Sequence, residues 1–278
     1  PLYKSKIAEL EAKLSMIESR DSTEFNHFSQ AVYGKVSKHY YQEAIKFINE
    51  TEIHPDESRE LQLKEAIEVV ELFLQQTKLG HWKVKVIEET VVDIQVTKKE
   101  VILMKKGATF KENRLKALLV HEIGTHVFRF ENGKRQPLRI FERGTAGYLR
   151  TEEGIAVWNQ NQLGLPLGDK QIKSGYLIVA IFMAEKMGFR DLFQYLQSTF
   201  DLEDELAWNL CIKTKRGYVD TAKKGAFTKD MVYFTGLRDI ERFLEKRDIK
   251  ELYGGKFGIE DMKYLQHVKG WQEPKYVL

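Results

Sequence analysis

Cysteine is nearly missing from this chain: Cys211 is the only one in 278 residues, which excludes an internal disulfide framework and points to a reducing, cytoplasmic setting. A lone cysteine of this kind is expected as a small buried apolar residue. Long apolar runs are missing too. The longest strongly apolar stretch, Tyr176 to Ala184, is too short to span a bilayer, and no charged-then-apolar leader opens the chain, so a soluble protein with no membrane partner is expected. Neither sign of charge is in excess. Lys plus Arg number 44 against 41 Asp plus Glu, a balance of +3 with the signs interspersed, and this leaves no footprint for nucleic acid. Internal repeats and low-complexity linkers are absent as well. The first residue is Pro1 rather than Met, so neighbouring segments of a longer protein are expected.

What is present suits a folded globular chain. Apolar residues make up 42% and aromatics 12%, enough for one sizeable core or two small ones. From Tyr3 to about Lys78 apolar residues recur at helical spacing, as in Ile7, Leu10, Leu14 and Ile17 and again in Ala66, Val69, Val70, Leu72 and Phe73. Pro55 followed by Asp56, Glu57 and Ser58 reads as a helix start, and Gly80 as a stop. The pattern then changes to short runs rich in Val and Ile: Trp82 to Ile87, Val91 to Val96 and Val101 to Met104. These predict a small antiparallel sheet. A new helical pattern begins near Lys111, a polar stretch runs from Glu131 to Arg150, and helices broken near Gly164, Gly188 and Gly217 fill the rest. The expected fold is α+β and mainly helical, one domain over residues 1–278. Residues 1–80 would form a helical lead-in, and residues 81–278 a small sheet beside the motif helix and the C-terminal helices.

The segment Leu118-Leu119-Val120-His121-Glu122-Ile123-Gly124-Thr125-His126 places two imidazoles and a carboxylate on an amphipathic helix. In the zinc signature HExxH, four steps of about 100° return the second His to nearly the same face. Here the spacing is HExxxH, and five regular steps leave the rings roughly 140° apart. A one-residue π-bulge corrects this, and Gly124 offers backbone freedom for it. Two His on an apolar helix are more often packed and hydrogen-bonded than metal-bound, so a third ligand is needed. Thr151-Glu152-Glu153-Gly154-Ile155-Ala156 is the best source, since it opens the next predicted helix about thirty residues beyond the first His. Taken blandly, Thr151 is an N-cap and the two Glu favour the helix dipole. The spacing does not choose between Glu152 and Glu153.

HEIGTH, then Arg135-Gln136-Pro137, then TEEGIA, resembles the microtubule-associated tyrosine carboxypeptidases and their bacterial relatives, the flavohaemoglobin-expression-modulating QEGLA-motif proteins. Lys215-Arg216-Gly217, Asp220-Thr221 and the run from Gly225 to Tyr233 resemble that family's later motif, so the likeness covers most of the chain. The resemblance implies one Zn²⁺ held by His121, His126 and Glu153, with Glu122 as the catalytic residue. Glu152 stands where the bacterial motif has glutamine, which leaves the ligand position intact. A tubulin-binding surface is not evident from the sequence.

On this reading the chain is a metallocarboxypeptidase that removes a C-terminal residue, tyrosine or another aromatic, from a peptide or protein. Glu122 takes the proton of the attacking water and returns it to the leaving amine. Tyr233, Lys229 and Arg216 are candidate donors to the tetrahedral intermediate, and Arg216 and Arg135 are candidate forks for the substrate carboxylate. Asp230 is expected to pair with Lys229 or with a ligand His. Phe227, Tyr148 and Trp158 could line a pocket for an aromatic end residue, although such residues are more often core. The alternatives are a zinc endopeptidase or amidase using the same residues, and a regulatory protein that keeps zinc without catalysis.

Overall fold

The computed structural model describes residues 1–20, 22, 24–90, 92–170 and 172–278. The helical elements are α1 (Leu2–Glu18), α2 (Glu24–Tyr33), α3 (Lys38–Glu50), α4 (Leu63–Gln76), α5 (Glu112–Leu118), α6 (Phe128–Lys134), α7 (Ile140–Arg143), α8 (Tyr148–Gln162), α9 (Lys173–Ala184), α10 (Phe189–Phe200), α11 (Asp204–Lys215), α12 (Met231–Leu244) and α13 (Met262–Leu265). A π-helical segment, Leu119–Val127, joins α5 to α6 without a break. The strands are β1 (Glu60–Gln62), β2 (Lys83–Ile87), β3 (Ile94–Val96), β4 (Val101–Lys105) and β5 (Thr109–Lys111). The fold is α+β and mainly helical, with two small sheets.

Two compact units divide the chain. One comprises residues 1–52, 145–154 and 169–239, and the other residues 53–144, 155–168 and 240–278. The first is built on α9, whose Tyr176, Leu177, Ile178, Val179, Ala180 and Ile181 are all buried. A helix apolar all round has to be enclosed, and Ala44 and Ile48 of α3, Leu192 and Leu196 of α10, Leu210 of α11 and Phe234 of α12 share its cluster. Cys211 lies in the same core, and burial pushes its thiol up to about 12. That makes it the inert apolar residue expected.

Lys215, at the end of α11, is 1% exposed, and its ammonium donates to the carbonyls of Met187, Lys223 and Gly225 at 2.8, 2.7 and 2.8 Å. This lysine ties the end of α11 to the loop before Ala226. Two glycines allow α8 and α12 to touch backbone to backbone. A Cβ on Gly154 would lie 2.4 Å from the Gly236 carbonyl carbon, and one on Gly236 would lie 2.1 Å from the Arg150 carbonyl oxygen. Arg150 also pairs with Asp239 at 2.5 Å, so the helices run antiparallel.

The second unit holds both sheets. β1 pairs antiparallel with β5, and the other sheet has the order β2-β4-β3. The expected antiparallel pairing holds between β3 and β4, whereas β2 and β4 run parallel in the register Lys83 to Val101. The reason is topological: β2 and β3 run in opposite directions, so β4, lying between them, has to share the direction of one. Val91, expected at the start of β3, lies outside the described residues. β1 and β5, three residues each, are too short to show an alternating pattern.

The Pro55–Ser58 segment is not a helix start. Asp56 Oδ1 accepts from the Ser58 amide at 3.1 Å and from its hydroxyl at 2.5 Å, an Asx-type turn that leads into β1. α4 begins at Leu63, capped by Gln62 and Glu65 in a reciprocal box. No helix among the described residues is long and apolar enough to cross a membrane.

Candidate metal centre

The run from Glu112 to Lys134 is helical throughout, but its middle nine residues are wound as a π-helix. This is broader than a one-residue bulge. The Phe128 amide donates to the Ile123 carbonyl, and the Thr125 hydroxyl donates to the Val120 carbonyl at 3.1 Å, both five residues back. In an i to i+5 ladder the fifth residue returns to the same face. His121 and His126 therefore stand together, with ring centroids 5.0 Å apart and planes at 76°.

Gly124 keeps ordinary helical backbone rather than a left-handed one. What it provides is space, because a Cβ there would come within 2.7 Å of the Leu278 side chain.

Glu153 arrives on α8. That helix starts at Tyr148, so Thr151 lies inside it rather than capping it, and Glu152 and Glu153 are 1% and 8% exposed instead of solvated at a helix end. The boundary between the units falls within α8, after Gly154. The helix nevertheless runs on unbroken, and its second half is bonded to the π segment. One donor atom each from His121, His126 and Glu153 lies within 4.8 Å of the others. Two imidazoles and a carboxylate are a common donor set for zinc with an open fourth position, and a buried carboxylate needs a positive partner. The residues fit the ion.

The bonds that hold these donors are absent from the motif. Gln160 Nε2 donates to the Ala117 carbonyl at 3.2 Å, which turns its Oε1 toward His121 Nδ1 at 3.2 Å. An amide oxygen can only accept, so Nδ1 carries the proton and Nε2 bears the lone pair that a metal would use. The preceding residue, Asn159, donates from Nδ2 to Thr125 Oγ1 at 2.7 Å and to the Tyr253 hydroxyl at 2.8 Å, and that hydroxyl donates to the Gly124 carbonyl at 3.1 Å. Thus α8 and Tyr253 grip the π turn at its centre. Gln160 follows Glu153 by seven residues and shares its helix face, which is the one signal in the sequence that could have singled it out.

Glu122 follows His121 in the π segment and is half-buried. Burial pushes the Arg114 guanidinium below its ordinary value, and the charges of Asp93 and Glu122 work against that. A cation thus lies within electrostatic reach of Glu122. Arg135 caps α6, where it donates to Gln272 Oε1 at 3.2 Å and to the Glu273 carbonyl at 3.3 Å. Its neighbour Gln136 exchanges bonds with the Gln272 backbone at 2.8 and 3.1 Å, so the Arg135-Gln136 pair fastens the C-terminal segment along α6.

In the first unit Arg216 stacks on Phe227, 4.8 Å from the ring centroid, with Nη2 3.6 Å from Asp230 Oδ1. Asp230 pairs with Arg216 and, at 3.8 Å, with Lys213, not with Lys229 or a ligand His as expected. Lys229 precedes it in a short 3-10 turn, half-buried. Phe227 joins Phe25 and Tyr33 in an aromatic cluster at centroid distances of 6.0 and 5.6 Å, and Tyr148 lies under the Lys6 ammonium at 5.5 Å. Trp158 is half-buried on α8. Tyr233, also half-buried, lies on α12 one turn before Gly236, and Gly236 meets the residue after Glu153.

The sequence profile of the family described as microtubule-associated tyrosine carboxypeptidase matches residues 1–278. The chain belongs to this family. It is 38% identical over 160 residues to microtubule-associated tyrosine carboxypeptidase 1 of Rattus norvegicus, an alignment covering 55% of this chain and 33% of that protein. The Homo sapiens protein of the same name is 36% identical over 160 residues, with the same shares covered. The chain spans about a third of the length of these curated relatives.

Proposed function

We infer that this chain is the catalytic part of a zinc carboxypeptidase that removes one C-terminal residue, tyrosine or another aromatic, from a peptide or protein. The observation that carries the reading is the convergence of His121, His126 and Glu153 through a π-helical turn, beside Glu122 in a family of tyrosine carboxypeptidases. His121 and His126 would hold the ion by one ring nitrogen each, and Glu153 by one carboxylate oxygen. Zinc in that position supplies Lewis acidity, which makes water acidic near neutral pH and polarises a carbonyl.

The remaining work falls to the protein. Glu122 accepts the proton of the attacking water and delivers it to the leaving amine, one carboxylate serving both steps in turn. Gln160 keeps His121 in the tautomer whose Nε2 can act as a metal donor. The tetrahedral intermediate calls for a donor outside the ligand set. Tyr233 is the first choice, because α12 crosses α8 next to Glu153, with Lys229 behind it. Arg216 and Arg135 are the forks proposed for the terminal carboxylate. Arg216 is about half exposed, lies over an aromatic ring and has only a loose contact with Asp230 at 3.6 Å, whereas Arg135 donates hydrogen bonds to Gln272 and Glu273 at 3.2 and 3.3 Å. Arg216 is therefore preferred.

The names of the relatives tie those proteins to microtubules. A tubulin tail is accordingly one substrate to test beside generic peptides. The experiment incubates the zinc-loaded protein with peptides ending in free Tyr, Phe, Leu or Glu, and with the amidated Tyr peptide, and reads the products by mass spectrometry. Loss of a single terminal aromatic residue, absent with Glu122→Gln and with the amidated peptide, is expected. Cleavage of the amidated peptide at the same rate would make the protein an endopeptidase or amidase. No cleavage by the zinc-loaded protein would leave a binding protein.

A further inference from the structure

The first helix carries an apolar stripe that the fold of its own unit does not use. Tyr3, Ile7, Leu10, Leu14 and Ile17 are 53%, 56%, 49%, 61% and 52% exposed, although they recur at the spacing of a buried face. α1 packs inward through Leu2, Glu9 and Met16 instead, and Met16 joins Phe25 and Tyr218 in a small core. The spacing four, three, four, three is a heptad seam. Ile7 and Leu14 take the a positions, and Tyr3, Leu10 and Ile17 the d positions. The seam is about 21 Å long at 1.5 Å per residue. A continuous exposed stripe of five large side chains marks a contact surface rather than scattered surface residues.

The charges beside the seam say what fits it. Lys6, Lys13 and Arg20 occupy the g positions, and Lys4, Glu11 and Glu18 the e positions. In a parallel pair of such helices each g side chain meets the next e side chain of the other helix, so Lys6 faces Glu11 and Lys13 faces Glu18 on both sides. In an antiparallel pair g meets g and e meets e, which sets Lys13 against lysine, Lys6 against Arg20 and Glu11 against glutamate, with only Lys4 and Glu18 of opposite sign. Glu11 and Glu18 are exposed, while Lys6 and Lys13 flank Glu9 at the inner edge of α1, Lys6 at 3.0 Å. Both lysines are therefore already held at the border of the seam. The apolar stripe is only two positions wide, with charge on either side, which suits two strands rather than three or four.

We propose that α1 is a self-association element, through which two copies of this chain pair in parallel along Tyr3, Ile7, Leu10, Leu14 and Ile17. Because the seam is short, pairing is expected in the micromolar range. Sedimentation equilibrium of the whole chain between about 5 and about 200 µM should show the mass rising from 32.5 kDa toward twice that value. Leu14→Glu should return it to the monomer at every concentration, with a thermal unfolding curve that matches the wild type at concentrations where the wild type is monomeric, since this side chain is exposed in the isolated fold. Glu11→Lys with Glu18→Lys should raise the dimer dissociation constant by about tenfold or more through like-charge repulsion, and 1 M salt should restore pairing in this variant but not in Leu14→Glu. Leu14→Cys should form an intermolecular disulfide on mild oxidation, because facing a positions are close only in the parallel arrangement. A wild-type chain that stays at 32.5 kDa throughout, a dimer that survives Leu14→Glu, or a dimer in which Leu14→Cys does not cross-link would each overturn the proposal.

Discussion

Two clusters of histidine and glutamate lie on or beside the helical run Glu112–Lys134, and they differ in what stands behind their donors. His81, Glu100 and Glu131 bring one donor atom each within 4.8 Å, as do His121, His126 and Glu153. In the first cluster the cation is part of the chain. Lys134 Nζ lies 2.6 Å from Glu100 Oε1 and 3.2 and 3.3 Å from the two oxygens of Glu131, which also accepts from Trp82 Nε1 at 3.0 Å and approaches His81 Nε2 at 3.2 Å. In the second cluster His121 is oriented by a neutral amide, that of Gln160, and a distorted helix supplies the aim. The same residue types thus form a closed ion network in one place and, on the reading proposed above, a metal centre in the other. Composition alone does not separate them; what decides is whether the surrounding structure supplies a positive charge or a tautomer.

The largest effects that would break this contrast lie at the metal centre. Glu122→Gln should lower turnover by about 10²- to 10⁴-fold, the usual contribution of a general base, while zinc content measured by elemental analysis stays at the wild-type level. Activity within threefold of wild type would remove Glu122 from the mechanism. Gln160→Leu tests the tautomer argument. It should weaken zinc binding about 10- to 100-fold, the usual effect of losing the group that orients a ligand histidine, and competition with a chelator reads it directly. An unchanged affinity would mean that the bond from Nδ1 does no positioning.

Emptying the other cluster of its built-in cation sharpens the comparison. Lys134→Ala leaves His81, Glu100 and Glu131 facing one another, and a second, weaker zinc equivalent should then appear in a titration followed by calorimetry; a single equivalent as before would show that this donor set cannot close on an ion. The smallest effect is electrostatic. The hydrogen bond from Lys134 holds the Glu100 carboxyl below its ordinary 4.5, so Lys134→Ala should raise it toward that value in an NMR titration. A carboxyl with a lowered folded value stabilises the fold above its unfolded value, and that contribution fades as pH falls through the folded one. The wild-type advantage is therefore full above about pH 4.5 and fades below it, and at this solvent-exposed pair it should be about 0.5 kcal/mol or less.

The same contrast explains how much of the fold and of the site is legible in the sequence. The spacing of His121 and His126 conflicts with a regular helix, so the motif itself demands the π turn. The structure extends that turn to nine residues, and Asn159 and Tyr253 hold it from outside at Thr125 and Gly124, through contacts between residues 34 and 94 positions apart in the chain. Apolar spacing placed the helices well, since periodicity reports which face is apolar. It does not report what covers that face, and so the stripe from Tyr3 to Ile17 reads like a core face and lies open. The parallel pairing of β2 with β4 escaped because strand order is set by where the chain turns back, not by the strands themselves. At Pro55–Ser58 the Asx turn won over a helix start, with Asp56 bonded to Ser58 and Asn113.

The most direct test of the central claim is zinc stoichiometry across four proteins: wild type, His126→Ala, Glu153→Gln and His81→Ala. The account predicts one zinc per chain in the wild type and in His81→Ala, and little or none in His126→Ala and Glu153→Gln, with all four equally folded by circular dichroism. Zinc that stays with His126→Ala and leaves with His81→Ala would place the ion at the other cluster and contradict the account.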